Sequence, residues 1–316
     1  MIREYFVGID TSNYTTSVAV IDSNGALVAN LKAPLSVNVG ERGLRQSDAV
    51  FQHIKNLPSL MEKATEILRD GKILAVGVSE RPRNVDGSYM PCFLSGVAAA
   101  HSFVAPLNLP LYGFSHQCGH IAAAIYSSGA KLSDGYFAAI HASGGTTELL
   151  RARECENGFL AELVGGTLDL NAGQVIDRVG VAMGLPFPSG KHIEELALKF
   201  TGKIQKRKPP VNGMSFNLSG AENIALSLYR ETGNAELTAA FVLDYIGSAI
   251  IAICKQYIEV YGETEFVFAG GVMCNSIIKS GIKREIPASY FAEPAMSADN
   301  AVGIAALTKR KYQNNL

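Results

Sequence analysis

Two histidines four positions apart are the first candidates for chemistry in this chain. His116 and His120 lie in the stretch SHQCGHIAAA, and on a helix this spacing places both imidazoles on one face. The pair could bind one metal ion, although two surface histidines would show the same pattern. A third ligand is expected from Asp299 in MSADNAVGIA, at the start of a helix that Ser297 could cap. Two imidazoles and one carboxylate suit Zn²⁺ or Fe²⁺.

A second set of residues suggests a nucleotide site, but each member is weak alone. The stretch FAGGVMCNS has two glycines after a predicted strand and then Asn275 near a helix start, which would allow close backbone approach to a nucleotide. Asp177 lies in the helical run GQVIDRVG, where it could instead simply pair with Arg178. Gly190 ends the stretch PFPSG and by itself indicates only a turn.

The chain contains a short internal repeat. Residues 5–16 read YFVGIDTSNYTT and residues 136–147 read YFAAIHASGGTT. Each copy has an apolar run, a turn of small polar residues and a second strand-like run, which is typical of a β-hairpin. Small turn residues let backbone N–H groups approach an anion. The repeat therefore predicts a duplicated domain with two phosphate-binding loops, although two unrelated hairpins could resemble each other by chance.

The remaining segments alternate between predicted helices and strands. This alternation indicates a mostly parallel sheet with ligands at the strand ends. Pro58 should break or kink the first helix. Helices are predicted over residues 48–68, 93–104, 175–183, 192–200 and 300–308, and strands over 73–78, 109–114 and 266–269, with Ser115 as a helix cap.

Composition narrows the class of protein. With 316 residues, 47% of them hydrophobic and 18% charged, the chain should be globular, with one large domain or two modest ones. The formal net charge of −1 provides no general attraction to nucleic acid or anionic membranes, so RNA binding would need a local patch. The basic run KIQKRK at 203–208 is more typical of a solvated loop than of a nucleic-acid contact.

Cysteine usage and hydropathy favour the cytoplasm. The five cysteines are odd in number and scattered, as expected in a reduced interior. A strand-like run begins at residue 5, so no signal peptide is expected. Residues 237–254 are apolar enough for a membrane span, but Asp244 interrupts them, which favours a buried core helix and no membrane partner.

Six ordered blocks together resemble the tRNA N6-adenosine threonylcarbamoyltransferase family (TsaD), once described as O-sialoglycoprotein endopeptidases. The resemblance runs from about Val7 to Ala306, and it depends on the order and spacing of the blocks. It implies an α/β fold of the actin, sugar-kinase and Hsp70 type (ASKHA), with duplicated ribonuclease-H-like lobes and a central cleft. Lobe I would comprise residues 1–115, completed by a C-terminal helix at 300–316, and lobe II residues 116–299. The blocks are GIDTSNYTTSVAV, HQCGHIAAA, ASGGTTELL, GTLDLNAGQVIDRVGVAMGLPFPSGKHIEELA, FNLSGAENIA and AGGVMCNS…SADNAVGIA.

The resemblance also implies a reaction and its site. A threonylcarbamoyl group would pass from threonylcarbamoyl-adenylate to the N6 amine of an adenosine in tRNA, with other proteins of this pathway as partners and with homo- or heterodimer formation expected. One divalent ion, Fe or Zn, would hold and polarise the threonylcarbamoyl part, and ATP, ADP or the adenylate would be the nucleotide ligand. The implied metal ligands are His116, His120 and Asp299, and the implied nucleotide-binding residues are Ala142, Ser143, Gly144, Gly145, Thr146, Asp177, Gly190 and Asn275.

The chain departs from the family pattern at several positions. Asn13-Tyr14-Thr15 stands where the family has Cys-Asp-Glu, Thr146 replaces a His or Asn, and Glu222 stands where Lys is usual. The stretch RPRNVDGSYMPC replaces a Gly-Pro-Gly turn. With the acidic pair lost, Asp10, Asp177 or a metal-bound group would have to supply any base function.

These departures leave three functions open. The first is the tRNA-modifying transferase, and the second is a non-catalytic nucleotide- and metal-binding paralogue that acts as a regulatory or scaffold subunit. The third is a carbamoyltransferase with a different acceptor. A zinc protease is disfavoured because the chain has no HExxH motif.

Overall fold

The computed structural model describes residues 2–12, 14–36 and 44–315, and these form two compact units. Unit 1 comprises Met1–Ser127, Glu154–Ala161 and Ala298–Leu316, and unit 2 comprises Ser128–Arg153 and Glu162–Ser297. The C-terminal helix thus belongs to unit 1. Almost all of the helix that begins at His116 also lies in unit 1, so the first boundary falls later than the one predicted after residue 115.

The secondary structure alternates along the chain as the sequence pattern indicates. The strands are β1 Arg3–Thr11, β2 Thr15–Asp22, β3 Leu27–Pro34, β4 Gly71–Arg81, β5 Leu111–Ser115, β6 Tyr136–Ala142, β7 Thr147–Cys155, β8 Gly158–Thr167, β9 Val211–Asn212, β10 Ser215–Phe216, β11 Phe266–Ala269 and β12 Ser289–Phe291. The helices are α1 Gln46–Leu68, α2 Phe93–Val104, α3 His116–Ser128, α4 Ala172–Ala182, α5 Gly190–Lys199, α6 Ser219–Thr232, α7 Ala235–Tyr261, α8 Ser276–Glu285, α9 Pro294–Ser297 and α10 Val302–Asn314. Two 3-10 turns cover Ala105–Leu107 and Gly271–Cys274.

The two sheets share one strand order, which confirms the predicted duplication. In unit 1 the order is β3-β2-β1-β4-β5, and the sheet of unit 2 contains the matching series β8-β7-β6-β11-β12. The repeated sequence phrases form the two matching hairpins, β1–β2 and β6–β7, and both are antiparallel. The next two strands in each series are parallel to the first strand of the hairpin. Each copy of the phrase therefore builds the same corner of its sheet.

Strand β1 has two differently covered faces. Tyr5, Val7 and Ile9 point to one side and pack in a core with residues of α1 and α2. Gly8 points to the other side, where an added Cβ would lie 2.5 Å from the Ala301 carbonyl oxygen. Because side chains alternate along a strand, Asp10 shares the face of Gly8, next to the segment that leads into α10.

Two glycines bring α3 and α10 together. A Cβ at Gly303 would lie 1.8 Å from the carbonyl oxygen of Gly119, so the helices touch through backbone at this point. The Ser115 hydroxyl accepts a hydrogen bond from the Cys118 N–H at 3.2 Å and caps α3, as predicted. This close packing places the first turn of α3 beside the residues that precede α10.

Two local predictions need correction. Helix α1 continues through Pro58 and is not broken there. Both Pro58 and Ile54 are exposed, so water can bond to the carbonyl that proline leaves unpaired. Ser297 does not cap α10, because it ends α9 and its hydroxyl donates to Glu293. The N-cap residue is Ala301, and the preceding Asn300 accepts a hydrogen bond from the Val302 N–H at 2.9 Å through its side-chain oxygen.

Helix α7 forms the centre of unit 2. It is long and apolar enough to cross a membrane by length and composition, but 72% of its most apolar 18-residue stretch is buried. It packs against α5, α6 and α8. The burial agrees with the predicted core helix. The basic run at 203–208 is irregular and largely exposed, as expected for a solvated loop.

Asp169 ties the start of α6 to the loop before α4, and this contact should make unit 2 sensitive to acid. Burial opposes ionisation, but hydrogen bonds from Ser219, Leu218 and Leu170 outweigh it and lower the pKa of Asp169 to about 2. The folded state therefore holds this proton more weakly than the unfolded chain, whose pKa is near 3.8. The stabilisation is complete above that value and disappears as the pH falls towards 2. In thermal unfolding, Asp169→Asn should lower the Tm at pH 7 and lose this difference near pH 2.

A matched control for this measurement is Asp134→Asn, which changes another exposed carboxylate of unit 2. It should leave the Tm unchanged at pH 7. If Asp169→Asn and Asp134→Asn had equal effects at pH 7, the hydrogen bonds to Asp169 would not stabilise the folded state.

Candidate active site

Unit 1 brings together the three residues that the sequence singled out first. The Asp299 Oδ1 atom lies 3.3 Å from His120 Nε2 and 3.6 Å from His116 Nε2. One ligand atom from each of the three residues lies within 4.8 Å of the other two. The histidines come from the first turn of α3 and the carboxylate from the segment before α10. This convergence is a possible metal site, and its donor set suits a divalent zinc or iron ion.

Asp10 orients one of these histidines from β1. Its side chain is fully buried, and its Oδ2 atom lies 2.7 Å from His116 Nδ1. Its other oxygen accepts a hydrogen bond from the Ser12 N–H at 2.9 Å. Because the carboxylate can only accept, the Nδ1 atom carries a proton, and Nε2 is the ring nitrogen that faces Asp299. A carboxylate behind a histidine in this way is the usual support of a metal ligand.

The electrostatics of this cluster favour positive charge at the imidazoles. Burial alone would lower the pKa of His116, but the Asp10 and Asp299 carboxylates outweigh burial and raise it to about 10. Burial would likewise raise the pKa of Asp299, yet hydrogen bonds from His116 and His120 hold it well below its usual range. The pKa of Asp10 is lowered in the same way by His116. Two ionised carboxylates around two imidazoles would equally stabilise a bound cation.

Unit 2 contains a separate cavity of about 390 Å³. Five of the predicted nucleotide-binding residues line it, namely Ser143, Gly144, Asp177, Gly190 and Asn275. The other three are not among its lining residues. Ala142 is buried at the end of β6. Gly145 and Thr146 form the far side of the hairpin turn, where their N–H groups bond to the Ser143 hydroxyl.

Close packing at glycines positions Asp177 and Gly190 at this cavity. A Cβ at Gly173 would lie 2.6 Å from the Gly144 N atom, so the first turn of α4 rests directly on the β6–β7 turn. Asp177 follows one helical turn later on the same face. A Cβ at Gly180 would lie 2.2 Å from that of Ser189, so the segment that leads into α5 also packs on α4.

Hydrogen bonds hold the polar groups of the cavity. Asp177 Oδ1 accepts a hydrogen bond from the Ser189 N–H at 2.7 Å, which partly offsets the effect of burial, and burial raises the pKa of this carboxyl. Arg178, the alternative partner considered from the sequence, instead pairs with Glu222 at 3.0 Å. The Asn275 side-chain oxygen accepts from the N–H groups of Ile277 and Ile278, both at 3.1 Å, and thereby caps α8.

A comparison with protein families shows to which family this chain belongs. The model of the family tRNA N6-adenosine threonylcarbamoyltransferase (TsaD) matches residues 39–306, which is most of the chain. The chain belongs to the TsaD family. A tRNA N6-adenosine threonylcarbamoyltransferase of Sulfurihydrogenibium sp. (strain YO3AOP1) is 28% identical over 282 residues, which cover 86% of this chain and 80% of that protein. One from Streptococcus suis (strain 05ZYH33) is 27% identical over 325 residues, covering 98% and 93%.

Solved structures confirm the ASKHA fold predicted for a TsaD protein. Component A of the Acidaminococcus fermentans (R)-2-hydroxyglutaryl-CoA dehydratase aligns with a TM-score of 0.56 at 14% identity, covering 99% of this chain and 100% of that one. Full-length HypF aligns at 0.60 and 11% identity, covering 98% and 46%. A ROK family glucokinase from Streptomyces griseus aligns at 0.52 and 12% identity, covering 97% and 99%. At these identities the likeness concerns the fold alone.

The β1–β2 turn carries one of the departures from the TsaD family pattern that the sequence shows. Asn13 lies outside the described residues, whereas Tyr14 is 45% exposed. Thr16, in contrast, is buried, and its Oγ1 atom lies 2.8 Å from Nδ1 of the buried His53. The described part of this turn, Ser12 and Tyr14–Thr15, carries no carboxylate.

Two residues at the TsaD cavity were missed by the sequence analysis. Glu194 and Lys191 both line it. The Glu194 carboxylate accepts hydrogen bonds from the N–H and the hydroxyl of Ser276, at 2.7 and 2.5 Å, and so joins α5 to α8. A signal was present, because Glu194 follows Gly190 by one helical turn in GKHIEELA.

A side chain at Gly144 should block the cavity without unfolding the protein. A Cβ at this position meets no heavy atom within 4 Å, and the residue lines the cavity. We expect Gly144→Val to weaken binding of an adenine nucleotide by about tenfold or more, since its branched side chain displaces ligand contacts. Fluorescence titration with a labelled ATP analogue measures this effect.

The matched control is Gly220→Val in α6, because Gly220 is equally open but does not line the cavity. This variant should bind nucleotide as the wild type does. If Gly144→Val bound nucleotide with wild-type affinity, the cavity of unit 2 would not be the nucleotide site.

Proposed function

We propose that this chain transfers the threonylcarbamoyl group of threonylcarbamoyl-adenylate to the N6 amine of an adenosine in tRNA. The observation that carries the proposal is the convergence of His116, His120 and Asp299 inside the part of the chain that matches the TsaD family. The curated relatives are named for this reaction. The reaction would take place in the cytoplasm, with tRNA as acceptor and other proteins of the threonylcarbamoyladenosine pathway as partners.

The chemistry needs an electrophile, a leaving group and a proton acceptor. The lone pair of N6 attacks the carbamoyl carbon, the bond from that carbon to the phosphate oxygen breaks, AMP leaves, and N6 loses one proton. A divalent zinc or iron ion held by His116, His120 and Asp299 would polarise the carbamoyl oxygen and stabilise the charge that develops on it. Asp10 keeps the His116 ring in the orientation that such an ion requires.

The residues of unit 2 would hold the adenylate. Gly144 and Gly190 leave space for close approach, and Ser143 and Asn275 place polar groups at the cavity. Of the two carboxylates predicted as bases, Asp10 is committed to His116 and Ser12. Asp177 is partly exposed at the cavity and has a raised pKa. It is therefore the better candidate for accepting a proton, or a hydrogen bond from a ribose hydroxyl group.

A second candidate function rests on the β1–β2 turn. The family pattern has an acidic pair where this chain has Tyr14 and Thr15, so carboxylates that could act as bases are missing at this turn. A non-catalytic subunit that binds metal and nucleotide would tolerate this loss. It would bind both ligands, release no AMP and modify no adenosine.

The test supplies metal-loaded protein with threonylcarbamoyl-adenylate, unmodified tRNA and the pathway's partner proteins. Mass spectrometry of the digested tRNA and measurement of released AMP are the two readouts. We expect modified adenosine with the wild type and background amounts with Asp299→Asn. AMP release without modified adenosine would indicate another acceptor, and binding without AMP release would indicate the non-catalytic subunit.

A further inference from the structure

Lys32 lies on the sheet of unit 1, in the same cross-strand row as Asp10, which contacts the cluster of His116, His120 and Asp299. Asp10 of β1 is paired with Ser17 of β2, and Ser17 is paired with Lys32 of β3. Side chains of directly paired residues lie on the same face of a sheet, so Lys32 shares the face of Asp10. The two residues are two strands apart, which corresponds to about 10 Å between their Cα atoms. A lysine side chain can extend over the neighbouring strand towards the cluster.

The surroundings of Lys32 place its ammonium group in the field of the cluster. This face of the sheet is the one that Ala301 and α10 cover at Gly8, and Asp299 lies in the short segment before α10. Lys32 is partly buried, and burial lowers its pKa, while the charge of Asp299 acts in the opposite direction. The register therefore places Lys32 on the face of the sheet that carries Asp10, and the negative charge of Asp299 favours the protonated form of its amine.

The charges of the cluster suggest that this amine could neutralise an anionic group of the substrate. A divalent ion would be neutralised by the Asp10 and Asp299 carboxylates, so an anionic group that enters beside it needs a further positive charge. Asn30 lies two residues before Lys32 on the same face. Among the described residues its buried side-chain oxygen has no hydrogen-bond partner, so it could accept from a hydroxyl group.

We propose that Lys32 binds the carboxylate of the amino-acid part of the substrate, and that Asn30 accepts a hydrogen bond from its hydroxyl group. This inference deepens the proposed function and rests on it for the identity of the substrate. It makes Lys32 a specificity-determining residue for N-carbamoylated amino acids that carry both a free carboxylate and a side-chain hydroxyl.

The test compares K32M, K32R and the control K72M, which removes an exposed lysine from β4 of the same sheet. In the transfer assay K32M should raise KM for the adenylate about 10- to 100-fold, the usual effect of a lost charge-assisted hydrogen bond. The kcat and the metal content should stay near wild type, K32R should recover most of the loss, and K72M should match the wild type. With a substrate whose carboxylate is converted to the amide, K32M and wild type should have equal KM. Unchanged KM in K32M, or an equal loss with the amide substrate, overturns the proposal.

A binding measurement separates this inference from the proposed function. Calorimetry of the metal-loaded protein with N-carbamoyl-threonine needs no tRNA and no turnover. If the wild type transfers nothing but binds this ligand more than tenfold more tightly than K32M does, the proposed function fails and the role of Lys32 stands. Equal binding by wild type and K32M, or no binding by the wild type, overturns the role of Lys32 whatever the transfer assay shows.

Discussion

His120→Ala protein should retain less than about one tenth of an equivalent of zinc or iron, whereas the wild type should retain about one, because three converging donors are the minimum for a stable protein site. The remaining donors, His116 and Asp299, cannot enclose an ion without the third. Transfer of the threonylcarbamoyl group should fall to background in the same variant. Metal analysis after dialysis and the transfer assay measure the two effects.

The control is His101→Ala, which removes an exposed histidine of α2 in the same unit. It should keep both metal and activity. A His120→Ala protein that retained a full equivalent of metal would show that this cluster does not hold the ion.

Asp10→Asn should have a graded effect, because Asp10 supports His116, a proposed metal ligand, and is not itself one of the proposed ligands. The amide cannot stabilise the His116 ring as the ionised carboxylate does at 2.7 Å. We expect metal affinity to fall by about 10- to 100-fold, the range typical of such supporting carboxylates. Competition with a chelator measures this loss, and an affinity equal to that of the wild type would remove the role we assign to Asp10.

Gly303→Ala should destabilise unit 1 and also disrupt the proposed metal site. The added Cβ would lie 1.8 Å from the Gly119 carbonyl oxygen and 2.7 Å from the Ala123 N atom, both of them backbone atoms that cannot rotate away. Forcing α3 and α10 apart should lower the free energy of unfolding by about 3 kcal/mol or more. It should also separate Asp299 from the two histidines. Denaturant unfolding and metal titration report the two losses.

Gly281→Ala in the middle of α8 is the matched control. Its Cβ would meet Ile251 at an ordinary contact distance of 3.9 Å. The higher helix propensity of alanine should then stabilise the protein by up to about 1 kcal/mol. If Gly303→Ala were as stable as the wild type, the contact of α3 with α10 would not be what aligns the ligands.

Much of the local structure could be read from the sequence. The predicted helix at 93–104 and strand at 266–269 have the bounds that the structure shows. Hydrophobic periodicity and turn residues act within a few positions, so short segments carry their own signal. The spacing of His116 and His120 is of this kind, since one helical turn is enough to align them. The internal repeat likewise marked the hairpins that begin the two matching series of strands.

Other parts of the site depend on contacts between distant segments. No local pattern shows that Asp10 lies behind His116, because the contact joins residues that are 106 positions apart. No local pattern predicts the contact of Ser189 with Asp177 either, in which the Ser189 N–H donates a hydrogen bond to the Asp177 carboxylate. The row from Asp10 through Ser17 to Lys32 follows from the register of three strands, which individual strand predictions do not specify.

The sequence by itself indicated which residues can bind a cation, many of the helices and strands, and the family to which the chain belongs. The tertiary structure decided which of those residues meet. Asp299 reaches the two histidines because Gly303 and Gly119 let two helices touch through their backbones, and the fit of such surfaces depends on the whole fold. Residue types and spacings act over one or two turns of chain, whereas convergence of ligands requires packing across a sheet and its helices.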